Sequence, residues 1–483
     1  GGTVDMSSAS GNYTLSGQGS IDTLTGGGGN DIISGGTGAD ALTGGGGNDV
    51  ITGGVDNDNM TGGAGNDTFN VDNGTDTITD LSTGDILVVS SGATANATNI
   101  SAFVATGSTS NSGTANLTTA NSGGTIDVGN STTGAYSLTG LAGADTLKGN
   151  GNIDIINGGS GNDTIDGRGG NDQINAGDGD DTIIISSAGD GNGDTVDGGN
   201  GTDTLQLSAG SHTFSNDASI QNVQTITLNA SGTTVDLTGQ TEGLSITGGA
   251  GGDIIVAGSG NDIISGAGGV DTITGAGGSD TISLGSSDSA SDIIIFSSSS
   301  GSDTIKQFNA GSSNGDIMKY SGNLSDSGYG NSTNGSDGTD DLIGADFVSN
   351  AQNSSLDTAH LIVSFTTAVT QNGLSSGSSI DFTGAGVSSS QIISAIETSL
   401  ESSNSGSGNG LLSGTAASVT QADVNDIKLL LFTDGGSGAA EDVAIVLYNE
   451  GAASEADFSG ELTLTTVLQS VDLSNLTHDN FWG

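Results

Sequence analysis

The 483-residue chain contains no cysteine and no proline, only five basic residues, and 4% aromatic side chains. Without cysteine there is no disulfide bracing, so an exported protein of this composition needs another brace, and metal is the one available. The basic residues are Lys148, Arg168, Lys306, Lys319 and Lys428. Set against 56 acidic side chains, they leave a formal charge of −51, which excludes nucleic acid as a natural partner and disfavours anionic lipid surfaces. No apolar run approaches the length of a transmembrane span. The lone Trp482 and five tyrosines offer little from which to build an aromatic sugar-binding cleft.

What the chain does have is glycine, 88 residues of it, and an aspartate that recurs every nine residues in three stretches. Around it the sequence keeps the form Gly-Gly-x-Gly-x-Asp-x-aliphatic-x. The cleanest copies are residues 26–34 (GGGGNDIIS), 44–52 (GGGGNDVIT), 62–70 (GGAGNDTFN), 158–166 (GGSGNDTID), 257–265 (AGSGNDIIS) and 275–283 (GAGGSDTIS). The first run places carboxylates at Asp22, Asp31, Asp40, Asp49, Asp58, Asp67, Asp76 and Asp85. The second has Asp145, Asp154, Asp163, Asp172 and Asp181, slips by four residues, and resumes at Asp194 and Asp203. The third has Asp253, Asp262, Asp271 and Asp280. An apolar residue follows each aspartate at the second position. Glycine, asparagine and aspartate are also ordinary turn residues, but nineteen aspartates in register, each with an aliphatic follower, are a repeat.

These residue types at this spacing predict a parallel β-roll wound around calcium, an all-β solenoid. Glycines permit the backbone of a tight six-residue turn and leave its carbonyl oxygens aimed into the loop. Calcium takes six to eight oxygens, carbonyl or carboxylate. Stacked turns would hold each ion between two loops, using carbonyls from loop positions one to four and the aspartates. The residues after each aspartate form a short strand whose aliphatic side chain points inward, and two nonapeptides make one coil. One buried aliphatic per nonapeptide does not offset the cost of ordering nine residues, so the chain is expected to be disordered without calcium and folded with it. The predicted metal ligands are Asp31, Asp40, Asp49, Asp58, Asp67, Asp154, Asp163, Asp172, Asp181, Asp203, Asp262, Asp271 and Asp280. With them go the loop glycines Gly27, Gly29, Gly36, Gly38, Gly45, Gly47, Gly63, Gly65, Gly159, Gly161, Gly258 and Gly260. Asp22, Asp76, Asp85, Asp145, Asp194 and Asp253 form a weaker set; the loops of Asp22, Asp76, Asp85 and Asp194 lack the full glycine pattern.

Six segments follow: β-rolls at 1–87, 134–206 and 244–320, metal-poor solenoid connectors at 88–133 and 207–243, and a C-terminal domain at 321–483. The connectors are rich in Ser, Thr, Asn and Gly but carry periodic β-branched strands; a flexible linker is the other reading. In the C-terminal domain HLIVSF, IKLLLF, DVAIVLY and ELTLTTVL, starting at His360, Ile427, Asp442 and Glu461, read as strands of a small sheet. Residues 388–401 put Ile392, Ile393, Ile396 and Leu400 on one helical face, giving an α+β or mainly β domain.

The nonapeptides, the closing DTI segments near Asp76 and Asp303, and this C-terminal region resemble the RTX proteins exported by type I secretion. Within that family the chain is similar to surface-layer and oscillin-like surface-fibril proteins, chiefly through the passage from Asp197 to Leu228. The resemblance implies multiple Ca2+ ions, the type I secretion machinery as a partner, and an extracellular or cell-surface location. It also implies a C-terminal secretion signal, which suits the tail after Gln469 and the want of a charged-then-apolar leader.

RTX rolls also accompany secreted hydrolases, so catalysis has to be tested on residues. The three histidines, His212, His360 and His478, form no HExxH pair. Residues 311–315 and 373–377 match GxSxG, a match expected by chance in so Gly/Ser-rich a chain. The leading expectation is a non-enzymatic structural protein that self-assembles through calcium into a homo-oligomeric surface layer or filament, with cell-surface polysaccharide as a further partner. An adhesin that binds other cells, and a calcium-dependent hydrolase, stand as alternatives.

Overall fold

The computed structural model describes residues 1–186, 193–229, 232–285, 290–296, 303–306, 316–320, 363–365, 427–433, 441–449 and 462–471. Two units divide the chain, Gly1–Ala230 and Ser231–Gly483. Among the described residues every regular element is a strand.

In the first unit, successive nonapeptides send their strands alternately to two parallel sheets. Leu24, Leu42, Met60 and Ile78 pair in sequence in one sheet, and Leu15, Ile33, Ile51, Phe69 and Leu87 in the other. Partners within the ladder are 18 residues apart, which is two nonapeptides per coil. The strand Val50–Val55 shows why: Ile51 is fully buried while Val50 and Thr52 face outward, the two-residue alternation of a pleated strand. A column of such aliphatics, one per nonapeptide, is the core.

Residues 88–133 are wound in the same way. Asp76 pairs with Ala95, Ala97 with Leu117, Leu117 with Leu138, and Leu138 with Ile156. Ala95, Ala97, Phe103, Leu117 and Ile126 supply the buried positions. The second sheet ends here at Ser110–Asn111, and a third begins with Ala102–Val104, Thr125–Asp127 and Thr146–Lys148. The four-residue slip of the second run does not break register. Ile174 pairs with Val196 and Ile183 with Leu205 across the longer coil.

The second unit has the same design. Val235, Ile255, Ile273, Ile294 and Met318 pair in sequence in one sheet, and Ile246, Ile264, Ile282 and Ile305 in the other. All four strands expected near the C-terminus are present, at Val363–Phe365, Ile427–Thr433, Glu441–Asn449 and Leu462–Val471. They do not form a sheet of their own. Leu462–Val471 lies parallel beside Asp303–Lys306, and Glu441–Asn449 and Ile427–Thr433 follow antiparallel. A roll strand otherwise presents a row of unpaired backbone groups, and a further strand satisfies them. The helix expected at 388–401 and the tail after Val471 lie outside the described residues.

Candidate metal centres

Each ladder aspartate except Asp76, which lies within Thr75–Ile78, sits immediately before its strand, and all nineteen are buried, none more than 5% exposed. One carboxylate oxygen of each has a structural role. Asp31 donates its backbone N–H to Oδ1 of Asp49 at 2.7 Å, Asp40 to Asp58 at 2.8 Å, and Asp49 to Asp67 at 2.8 Å. The second run repeats this from Asp145 to Asp163 at 2.8 Å and spans the slip from Asp181 to Asp203 at 2.9 Å. In the third run Asp253 and Asp262 donate to Asp271 and Asp280. Every turn is thereby bolted to the next coil.

The ladder extends past the residues the sequence picked out. Asp271 donates to Asp292 at 2.9 Å, Asp280 to Asp303 at 3.1 Å, and Asp292 to Asp316 at 3.0 Å, and all three acceptors are buried. Their spacings of 21, 23 and 24 residues hide them from a nine-residue count. The surviving signal is the aliphatic two positions on: Ile294, Ile305 and Met318.

The second oxygen, Oδ2, makes no hydrogen bond in Asp22, Asp40, Asp49, Asp58, Asp76, Asp145, Asp163, Asp181 and Asp203, although it is shielded from solvent. A buried carboxylate oxygen with nothing to accept is costly, and a row of them calls for a cation. All of these but Asp76 and Asp181 face the first glycine of their own loop. A methyl group on Gly17 would lie 2.6 Å from Asp22 Oδ2 and 2.6 Å from the carbonyl oxygen of Gly35, one coil on. At Gly44 the same place is flanked by Asp49 Oδ2 and the Gly62 carbonyl, at Gly140 by Asp145 Oδ2 and the Gly158 carbonyl, and at Gly158 by Asp163 Oδ2 and the Ala176 carbonyl. The result is a repeating cradle of one carboxylate and one carbonyl oxygen from adjacent coils.

The predicted glycines lie beside this cradle and set the stacking distance. Gly45 and Gly47 have positive φ, and a methyl group on either would strike the backbone of Gly27 or Gly29 in the coil before. Gly63 and Gly65 stand against Gly45 and Gly47 in the same way, and Gly159 and Gly161 against Gly140 and Gly143. Gly36 and Gly38 close on Gln18 and Ser20, and Gly258 and Gly260 on Gln240 and Glu242. Carbonyls of the first loop position, at Gly44, Gly53, Gly62, Gly158 and Ala176, are therefore further oxygen donors.

A second ladder runs beside the first. Asn30 donates its N–H to Oδ1 of Asn12 at 2.9 Å, Asn48 to Asn30 at 2.8 Å, and Asn66 to Asn48 at 3.0 Å. Aspartate bonds reach forward one coil and asparagine bonds reach back one, so each turn is held from both sides. The Asn of the recurrent Gly-Asn-Asp triplet was its signal.

Burial sets the electrostatics. Desolvation pushes the Asp58, Asp67, Asp154 and Asp163 carboxyls up to about 6, and Asp76 and Asp280 up to about 7. Neighbouring ladder carboxylates add repulsion, as Asp58 does for Asp76. Both ion pairs found among the described residues belong to Arg168, on Asp127 and Asp166, outside the ladder. Nor do three or more His, Cys, Asp or Glu side chains converge anywhere among the described residues. Any bound ion must take carboxylate and carbonyl oxygens together, a hard all-oxygen set that fits calcium.

Residues 10–42, 43–78, 148–183 and 247–282 match the RTX calcium-binding nonapeptide repeat, in four copies. The chain carries RTX calcium-binding nonapeptide repeats. RTX nonapeptides bind calcium, and the matched segments carry the cradles at Gly17, Gly44 and Gly158. No curated protein matches the chain. The RTX ladders end in protein groups. Ser82 donates its N–H and Oγ to Asp85 Oδ2 at 2.7 and 3.0 Å, and Asp80 accepts the N–H groups of Gly62 and Gly63. At the end of the second run Asp203 donates to Gln224 Oε1 at 2.7 Å, an amide where the ladder has a carboxylate.

Proposed function

We propose that this calcium-binding RTX chain is a secreted structural protein whose copies associate, when calcium is bound, into a cell-surface layer or extracellular filament. One observation carries the reading. The six strands of the second sheet, Thr14–Gly19, Ile32–Thr37, Val50–Val55, Thr68–Val71, Ile86–Val89 and Ser110–Asn111, contain no acidic or basic residue, in a chain of charge −51. Ile32, Val50 and Val55 are 53%, 37% and 45% exposed on those strands.

Copies carrying this much like charge repel one another. An uncharged face is where two of them meet without opposing carboxylates, and its 18-residue repeat is matched by the same repeat on a second copy. Calcium acts twice, winding the coils and discharging them. Type I export and attachment to cell-surface polysaccharide complete the proposal. A non-catalytic role is supported by His212, which is buried and bonded through Nε2 to the Ser208 carbonyl. His360, His478 and both GxSxG segments lie outside the described residues.

Electron microscopy and sedimentation of the full chain, with chelator or millimolar calcium, test this. Ordered arrays or fibres are expected in calcium, and persistent monomers there would overturn the proposal. Ile32→Lys with Val50→Lys should keep calcium-induced β structure and abolish assembly. Assembly that survives this change removes the second sheet as the contact face.

A further inference from the structure

Two of the five basic residues of the chain, Lys148 and Arg168, stand at one place, beside the third sheet and at the loop that leads to Asp172. Asp127, Lys148 and Asp166 lie side by side on adjacent strands of the third sheet, in register. Across them reaches Arg168, whose Nη2 is 3.2 and 3.3 Å from the two carboxylate oxygens of Asp127 and whose Nε is 3.9 Å from Asp166 Oδ2.

The site is built, not incidental. Gly129 donates its N–H to Asp127 Oδ1 at 2.9 Å; Ser186 Oγ and the Arg168 N–H donate to Asp166 Oδ1 at 3.1 and 3.0 Å. A methyl group on Gly129 would collide with the guanidinium, so the missing side chain there is what admits it. Arg168 also stands at a loop position that is glycine in the cleaner repeats, Gly27, Gly45, Gly63 and Gly159 among them, and its φ is +65°. Arginine adopts that conformation at a cost, so local backbone preference did not select it. Its side chain is 32% exposed and that of Asp127 21%, a half-buried pair made through both carboxylate oxygens.

We infer that Arg168, with Lys148, is a protein-borne counter-cation that lowers the calcium requirement of the coils it spans. It neutralises Asp127 and Asp166, so the coils at 125–170, whose loops still present Asp145, Asp154 and Asp163 to calcium, close at less metal than ladders that have no such cation. They form a seed on which the flanking ladders wind as calcium rises. In a nearest-neighbour solenoid the costly step is the first closed coil, and later coils add to an existing edge.

Hydrogen exchange on the full chain at calcium concentrations well below saturation tests this. Amides of Thr125–Asp127, Thr146–Lys148 and Thr164–Asp166 are expected to exchange at least about tenfold more slowly than those of Ile32–Thr37 and Ile263–Ser265. Arg168→Gly restores the repeat glycine and relieves the left-handed strain, and Gly129→Ala keeps every charge but closes the slot. Each should remove the extra protection at limiting calcium and leave the circular dichroism in saturating calcium unchanged. Uniform exchange across the three regions would overturn the inference, as would protection that survives both substitutions. Arg168→Gly that lacks β structure even in saturating calcium would also overturn it, by making the residue a general requirement of the fold. None of these outcomes depends on whether copies assemble.

Discussion

The carboxylates of Asp58 and Asp76, one coil apart, converge on a single glycine: a methyl group on Gly53 would lie 2.6 Å from Oδ2 of the first and 2.8 Å from Oδ2 of the second. Neither oxygen accepts a hydrogen bond, so this pair most plainly requires a cation. Gly53→Ala fills the space between them and should cost about 1–3 kcal/mol of calcium-bound stability, as overpacking does. A calorimetric calcium titration should register fewer ions bound and a higher midpoint. An unchanged titration would mean that the ion does not lie there.

The raised carboxyl values fix the sign of the pH response without metal. Asp76 and Asp280 reach about 7 when folded, against roughly 3.9 in an unfolded chain. The metal-free roll therefore binds more protons than the unfolded chain between those limits. The contribution of these groups to its stability is fully present below the unfolded value and is lost as pH rises through about 7. In chelator, β content measured by far-ultraviolet circular dichroism should grow as pH falls from neutral toward 4. With limiting calcium, protons compete for the same oxygens, and affinity should weaken over that range. A metal-free chain that gains no structure on acidification would contradict the assignment.

Phe69 is fully buried beneath the loop of Gly62, its Cζ 2.9 Å from where a methyl group on that glycine would sit. Phe69→Ala should cost about 3–5 kcal/mol, read as a lower thermal midpoint in saturating calcium. Because coils contact only their neighbours, hydrogen exchange should show the loss concentrated around residues 51–87. Loss spread evenly over the unit would argue against nearest-neighbour coupling.

The asparagine ladder separates bond from charge. Asn48→Ala removes the acceptor of the Asn66 N–H and should cost about 0.5–1.5 kcal/mol. Asn48→Asp should retain that bond, because Asp180 already accepts the Thr202 N–H from the corresponding place. Chemical denaturation in calcium distinguishes the two; equal losses would show that the bond contributes little.

How much was legible follows from these same residues. Asp31, Asp49 and Asp67, with Ile33, Ile51 and Phe69, could be placed from the nine-residue count alone, since that period sets both the turn and the inward face. Asp292, Asp303 and Asp316 could not, because loops of other lengths intervene and only the closed coil restores their alignment. Gly53 reads like any other loop glycine until Asp76 is brought over it. The strand Leu462–Val471 was visible as a strand, but nothing local indicates that it lies beside Asp303–Lys306.

The amino-acid order by itself determined the coil: its period, its buried aliphatic column, its acidic turns and its hunger for a divalent ion, because each depends on contacts repeated at one fixed spacing. The tertiary structure alone decided which oxygen of each aspartate is tied to backbone and which is left for metal, where the ladders stop, and that Arg168 reaches Asp127. Those outcomes depend on which coil lies against which, a relation between distant residues that no local pattern records.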